Sequence, residues 1–236
     1  NFMLTIIIPV YNEINTLEKI LKKILIVKKI KKKIIIVDDG STDGTRELLK
    51  KKISKDKNIF KIIYHKNNMG KGAAINSAKK YIGKKFVIIQ DADLEYNPKD
   101  YNKILEILQK RKHKAVYGSR VLGKNRYLDD KKTKTYRIFA NHVLTIFSNI
   151  INNQRLTDAH TCYKAFDAKL FKKITLREKG FSFCPEITTK ISNLKIDIKE
   201  VKINYMPRSY DQGKKISFID GFDALWTIIK YKYFKK

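Results

Sequence analysis

Residues 4–39 read LTIIIPVYNEINTLEKILKKILIVKKIKKKIIIVDD. Two stretches in it, Leu4–Val10 and Lys33–Asp38, are almost wholly apolar and rich in β-branched residues. Between them, Ile14–Val27 carries apolar residues at the three- and four-residue spacing of a helix. A strand that is apolar on both faces has to be covered on both, and a helical crossover returns the chain to run parallel. The unit recurs: helix over Thr45–Ile53, strand over Ile59–Tyr64, helix over Lys71–Ile82, strand over Phe86–Gln90, helix over Lys99–Lys110, strand over Ala115–Tyr117. This βαβα rhythm predicts an α/β fold with a mainly parallel sheet and helices on both faces. Ligands of such sheets bind beyond the carboxyl ends of the strands, so the polar residues after each apolar run are the candidates for chemistry.

Beyond Tyr117 the rhythm breaks. Thr133–Asn153 reads as one helix with apolar positions at Tyr136, Phe139, Val143, Ile146, Phe147 and Ile150. A packed core would absorb that face, a membrane surface being the alternative. Glu186–Asn193 reads as a helix and Lys195–Asn204 as a last strand. Phe218–Phe234 reads as a helical C-terminal appendage, whose Trp226, Tyr231, Tyr233 and Phe234 suit either a packed helix or a membrane interface. The chain divides into one domain over residues 1–204 and a segment over residues 205–236 made of a loop and an amphipathic helix.

With 236 residues and 43% hydrophobic content the chain buries a sizeable core. A net charge of +29 would draw nucleic acid, an anionic membrane or a polyphosphate substrate. Most of the 52 basic residues are Lys, however, and they travel with an excess of Ile and Asn, as a coding bias spread over solvated faces produces. A nucleic-acid-binding module would rest on that charge alone, so no nucleic-acid partner is expected. Cys162 and Cys184 lie far apart without metal-ligand spacing and read as ordinary buried thiols. Neither a signal-peptide pattern nor a run of about 18 apolar residues is present, which predicts a cytoplasmic catalytic part meeting a membrane only peripherally.

The strongest chemical signal is Asp91-Ala92-Asp93-Leu94-Glu95, directly after the strand Phe86–Gln90. In an extended chain, acids at i, i+2 and i+4 point to one side and gather three carboxylates around one point. Hard oxygen donors in that number suit Mg²⁺ or Mn²⁺. Asp38-Asp39 ends another strand and leads into Gly40-Ser41-Thr42-Asp43-Gly44-Thr45, where Ser, Thr and Asp are expected to cap the next helix and Asp39 to accept hydrogen bonds from a base or ribose. The first strand ends in Pro9-Val10-Tyr11-Asn12-Glu13, where Tyr11 offers a face for stacking on a nucleobase. Asn68-Met69-Gly70-Lys71-Gly72 opens a helix with small residues and a Lys, either as an anion cradle or as a Gly-rich turn. Gly118–Lys124 has nearly a P-loop spacing, but Asn125 stands where a metal-holding Ser or Thr belongs, so a P-loop is rejected. The four histidines share no spacing, and His160 near Asp158 is only a weak candidate.

Taken together, Pro9–Glu13, Asp38–Thr45, Asn68–Gly72 and Asp91–Glu95 resemble glycosyltransferase family 2, with its Rossmann-like GT-A fold, in the family's order and near its separations, across nearly the whole chain. Gly118-Ser119-Arg120 and Pro207–Ile216 are similar to the branch that transfers mannose to dolichyl or polyprenyl phosphate. The resemblance implies that Pro9, Tyr11, Glu13, Val37 and Asp39 hold the nucleoside, that Asp91, Ala92 and Asp93 take the sugar diphosphate, and that Asp91, Asp93 and Glu95 hold its metal. Glu95 stands where many relatives carry Gln. Lys71, Arg120, Arg208 and Lys214 would contact the donor diphosphate or acceptor phosphate, with a loop around Arg208 closing over the donor and Asp91, Asp93, Arg120 and Arg208 as the catalytic set.

These expectations describe an inverting single displacement from a nucleotide-diphosphate sugar, GDP-mannose by the branch, to a polyprenyl or dolichyl phosphate at the cytoplasmic face of a membrane. A phosphate acceptor is largely ionised at neutral pH, with a second pKa of about 6, and needs no general base. A saccharide hydroxyl acceptor, or UDP-glucose as donor, is the alternative. A hydroxyl would require a base such as Asp158, so mutating Asp158 should abolish that reaction and spare the phosphate reaction.

Overall fold

The computed structural model describes residues 3–53, 59–83, 85–123, 135–207 and 219–234. Seven strands form one sheet in the order β3-β2-β1-β4-β6-β5-β7. They are β1 (Leu4–Val10), β2 (Lys32–Asp38), β3 (Phe60–Tyr64), β4 (Phe86–Ile89), β5 (Ala115–Ser119), β6 (Lys164–Asp167) and β7 (Ile198–Lys202). All neighbours run parallel except β6, which is antiparallel to both β4 and β5. The helices are α1 (Leu17–Ile26), α2 (Thr45–Leu48), α3 (Lys71–Ala78), α4 (Tyr101–Gln109), α5 (Thr135–Asn152), α6 (Ala168–Lys173), α7 (Phe183–Asn193) and α8 (Ile219–Ile229).

The two-residue period of a strand sorts the core into two layers. Ile6 and Ile8 of β1 with Ile34 and Ile36 of β2 face α1 and α4 through Leu17, Ile20, Ile24, Ile104 and Leu108. Ile7, Ile35 and Val37 face the other way, onto α3, α6 and α7 through Ile75, Phe171, Phe183 and Ile187. Each of these fully buried aliphatic or aromatic side chains contributes roughly 1.5–3 kcal/mol of transfer free energy. The expected three-layer α/β architecture is therefore what the chain builds.

Two features depart from the sequence reading. β6 and α6 were not visible in the pattern, because β6 is only four residues long and opens on a charged residue. Lys164 is nevertheless fully buried: its Nζ donates to the Ala159 carbonyl at 2.9 Å and sits 3.4 Å from the centroid of the Tyr117 ring. Helix α5 is the second. Of its expected core face, Phe139, Val143, Ile146 and Ile150 are exposed and Phe147 is half-buried, the Tyr136 side chain lying outside those described, while Thr145, Ser148 and Asn152 are buried. Packing the apolar stripe inward is thus overturned, because the helix turns its hydroxyl and amide side chains inward, where Ser148 and Asn152 bond to each other and Asn152 to Thr189 of α7.

Candidate active site

The loops after β1 and β2 are stapled together by side chains. The backbone N–H of Asn12, Glu13 and Ile14 donate to Ser41 Oγ, Thr45 Oγ1 and Asp43 Oδ2, each at 3.0 Å, and Thr42 N–H returns a bond to Asn12 Oδ1 at 2.8 Å. Of the expected capping residues only Asp43 serves α2, accepting from Thr45 N–H at 3.0 Å. Ser41 and the Thr45 hydroxyl instead fix the β1 loop, which holds half-buried Tyr11 and Glu13 at the sheet edge.

Asp39 is 3% exposed and gathers the next loop: it accepts from Met69 N–H at 2.9 Å and Gly70 N–H at 2.7 Å, and pairs with His65 Nδ1 at 2.6 Å. Three of the roughly four acceptor directions of its carboxylate are used inside the protein. Val37, two positions before Asp39, is fully buried, and Ala92 is 3% exposed, so both side chains pack into the core. The glycines of the Asn68–Gly72 turn answer to the protein's own backbone. A Cβ on Gly70 would lie 2.5 Å from the Lys179 carbonyl oxygen, and one on Gly72 would lie 2.1 Å from that of Glu178. These contacts favour the Gly-rich turn of the two readings, since the chain crossing there fills the space beside both glycines.

Lys71, the first residue of α3, points across to Asp91 after β4 and forms an ion pair in which both side chains are 13% exposed. Burial would lower the Lys71 pKa, but the facing Asp91 carboxylate outweighs it and the ammonium is held above its ordinary range. The chain then turns instead of staying extended. Leu94 has φ 68°, Glu95 N–H donates to Asp93 Oδ1 at 3.1 Å, and Glu95 Oε2 accepts from Tyr205 Oη at 2.8 Å. The three acids consequently part, and among the described residues no group of three or more His, Cys, Asp or Glu side chains is placed to hold a metal. Asp91 and Asp93 remain two partly accessible hard-oxygen donors two residues apart in the chain. Mg²⁺-type cations are commonly held by one or two carboxylates with the remaining positions filled by phosphate oxygens and water, so this pair fits a site that the substrate completes.

Arg120, just past β5, lies against Asp158 in a bidentate pair, Nε to Oδ2 and Nη2 to Oδ1 at 2.7 Å each, with its backbone N–H on Oδ2 at 3.1 Å. Asn141 of α5 adds a bond to Oδ1 at 3.3 Å. Burial would raise the Asp158 pKa, yet Arg120 overrides it and holds it down at about 2. Glu200 of β7 accepts from the backbone N–H groups of Thr157 and Asp158 at 2.7 and 2.9 Å, fixing the loop behind the pair. The Arg120 guanidinium stands 5.3 Å from the Tyr205 ring centroid. Tyr205, unremarked in the sequence beyond marking a boundary, thus bridges Glu95 and Arg120; only its place two residues before Pro207 hinted at it. Cys162 and Cys184 are free thiols, one half-buried and one buried, and Cys184 Sγ donates to the Thr161 carbonyl at 3.8 Å. Arg208 and Lys214, with the loop expected to close over the donor, lie outside the described residues.

A mainly parallel sheet with carboxylates, lysine and arginine converging at the carboxyl edge of β1, β2, β4 and β5 has the GT-A-like architecture of enzymes that handle nucleotide sugars. The chain belongs to glycosyltransferase family 2: the model for "Glycosyl transferase family 2" matches residues 5–175. It is 26% identical over 98% of its length to the UDP-N-acetylglucosamine–dolichyl-phosphate N-acetylglucosaminyltransferase of Methanococcus voltae, covering 96% of that protein. It is 29% identical over 99% of its length to the dolichyl-phosphate beta-glucosyltransferase of Dictyostelium discoideum, covering 75% of it. In fold it resembles glucosyl-3-phosphoglycerate synthase of Mycobacterium tuberculosis, solved with Mn²⁺, UDP and glucosyl-3-phosphoglycerate, with a TM-score of 0.70 and 14% identity over 98% of this chain and 80% of that one.

Proposed function

We propose that this glycosyltransferase moves a sugar from a nucleotide-diphosphate donor to a polyprenyl or dolichyl phosphate by an inverting single displacement, working peripherally at the cytoplasmic face of a membrane. The observation that carries the reading is the Arg120–Asp158 pair: a carboxylate with its pKa held at about 2 and both oxygens on a guanidinium is a poor proton acceptor at neutral pH. An acceptor that arrives ionised fits such a site, and a hydroxyl acceptor relying on Asp158 does not.

In this reading Tyr11 stacks on the base, while Pro9, Glu13 and the remaining acceptor direction of Asp39 face base and ribose. Lys71 and Arg120 bind phosphate oxygens, Arg120 through N–H groups not given to Asp158, and Arg208 and Lys214 add to them from residues 205–236. Asp91 and Asp93 would hold Mg²⁺ or Mn²⁺, with Glu95 nearby; when bound, the ion neutralises charge on the diphosphate. The chain's own groups do positional and electrostatic work on the two phosphates. The relatives' names favour a uridine-diphosphate donor as the first to test, with GDP-mannose second. The test is a donor-turnover screen with UDP-glucose, UDP-N-acetylglucosamine and GDP-mannose, each with Mg²⁺ or Mn²⁺, with and without polyprenyl phosphate. Phosphate-dependent turnover of one donor is expected. Turnover that needs a saccharide hydroxyl instead would replace the acceptor assignment.

A further inference from the structure

We propose that the outer faces of α5 and α8 form one docking surface for an anionic membrane, which seats the active site against the leaflet. The lipid acceptor rests on the functional reading above; the surface rests on its own observations. Helix α5 is inside-out for an aqueous protein: Thr145, Ser148 and Asn152 are at most 2% exposed, whereas Phe139, Val143, Ile146 and Ile150 are 58%, 45%, 45% and 73% exposed. A helix facing water on that side would show the reverse arrangement. Helix α8 packs on α5, burying Ala224, Thr227 and Ile228 while leaving the large aromatics Phe222 and Trp226 exposed. Its continuation adds Tyr233 and Phe234, the latter with its ring centroid 6.3 Å from that of Trp226. A contiguous apolar patch on two adjoining helices marks a contact site, and Trp and Tyr are the side chains favoured at a bilayer interface.

Charge decides the occupant. Residues 124–152 and 219–236 together carry ten Lys and Arg against four Asp, two of which, Asp220 and Asp223, belong to α8. The chain as a whole carries +29. Two copies meeting on this face would bring like net charges together, whereas an anionic leaflet complements that charge and receives the aromatic face. The surface also adjoins the chemistry, since Asn141 of the same helix donates to the Asp158 carboxylate that seats Arg120.

Trp226 is the only tryptophan, so it reports on this face without modification. Full-length protein is mixed with phosphatidylcholine vesicles containing about one third phosphatidylglycerol, with neither donor nor acceptor present. Blue-shifted Trp226 emission, its quenching by acyl-brominated lipid, and co-sedimentation are expected, with binding to pure phosphatidylcholine weaker. The double variant Ile146→Glu, Ile150→Glu should keep its thermal unfolding transition and partition more than about tenfold less. Unquenched Trp226 with the wild-type protein overturns the proposal. So does a wild-type dimer in sedimentation velocity that the double variant dissociates, which would assign the face to a second copy. Quenching without sugar transfer to any polyprenyl phosphate would uphold the surface and refute the acceptor reading, while transfer without quenching would do the opposite.

Discussion

The guanidinium of Arg120 donates to both oxygens of the fully buried Asp158 carboxylate, so Asp158 is the seat of a cation. This reverses the expectation that replacing Asp158 would spare a phosphate acceptor. Asp158→Asn keeps the shape, removes the charge and leaves Arg120 poorly paired, which costs on the order of 3 kcal/mol of stability for a buried pair. Transfer to a phosphate acceptor should fall on the order of tenfold to a hundredfold through misplacement of Arg120. The pH–rate profile separates the roles: its shape stays the same if Asp158 only positions Arg120, and an acid limb disappears if it is a base.

Asp93 is partly accessible and lies in the turn after β4, where it accepts from Glu95 N–H at 3.1 Å. Asp93→Ala should therefore fold normally while losing metal-dependent turnover, on the order of a hundredfold or more. Circular dichroism and a Mn²⁺ titration of turnover check both halves. Near-normal activity at saturating metal would remove Asp93 from the site.

Gly72 carries a structural demand. An added methyl would meet the Glu178 carbonyl at 2.1 Å and Phe183 Cβ at 3.0 Å, and a backbone oxygen cannot swing away. Gly72→Ala should lower stability by about 2 kcal/mol or more through overpacking, read as a fall in Tm, and should loosen the Lys71–Asp91 pair as α3 shifts. An unchanged Tm would show that residues 178–180 give way easily.

Legibility followed the physics of each element. The β1–α1–β2 region could be read because strands buried on both faces must be continuously apolar and their crossovers amphipathic. The positions of Asp39, Lys71 and Asp91 at the sheet edge followed from that topology, whereas Arg120 was indicated by the family resemblance alone. β6 was hidden because buried Lys164 is satisfied by a carbonyl and an aromatic ring that the chain supplies from elsewhere. The parting of Asp91, Asp93 and Glu95 was hidden because it depends on Leu94 at positive φ and on Tyr205, more than a hundred positions away. The face of α5 was misjudged because periodicity gives the width of an apolar stripe and not the side it turns to.

His160 supplies a pH dependence whose direction can be worked out. Its Nε2 is buried with no hydrogen-bond partner among the described residues. Burial pushes its pKa down to about 4, and the Lys164 and Arg120 charges push the same way against an opposing pull from Asp158. In the unfolded chain the ring titrates at its ordinary value of 6.5. Above that value both states are neutral and the native state bears no penalty. As pH falls from 6.5 toward about 4, the unfolded chain takes up a proton that the folded one refuses. Stability is therefore lost across that window, by up to about 3 kcal/mol from this group. Asp158, with its folded pKa at about 2, loses its contribution only lower, below the ordinary carboxylate value of 3.8. Urea midpoints at about pH 7, 5.5 and 4.5 should fall in that order for the wild type, and His160→Gln should flatten the slope above pH 4.5 or so. An equal slope in the variant would mean that the mild-acid loss comes from carboxylates being neutralised and that the His160 ring reaches solvent.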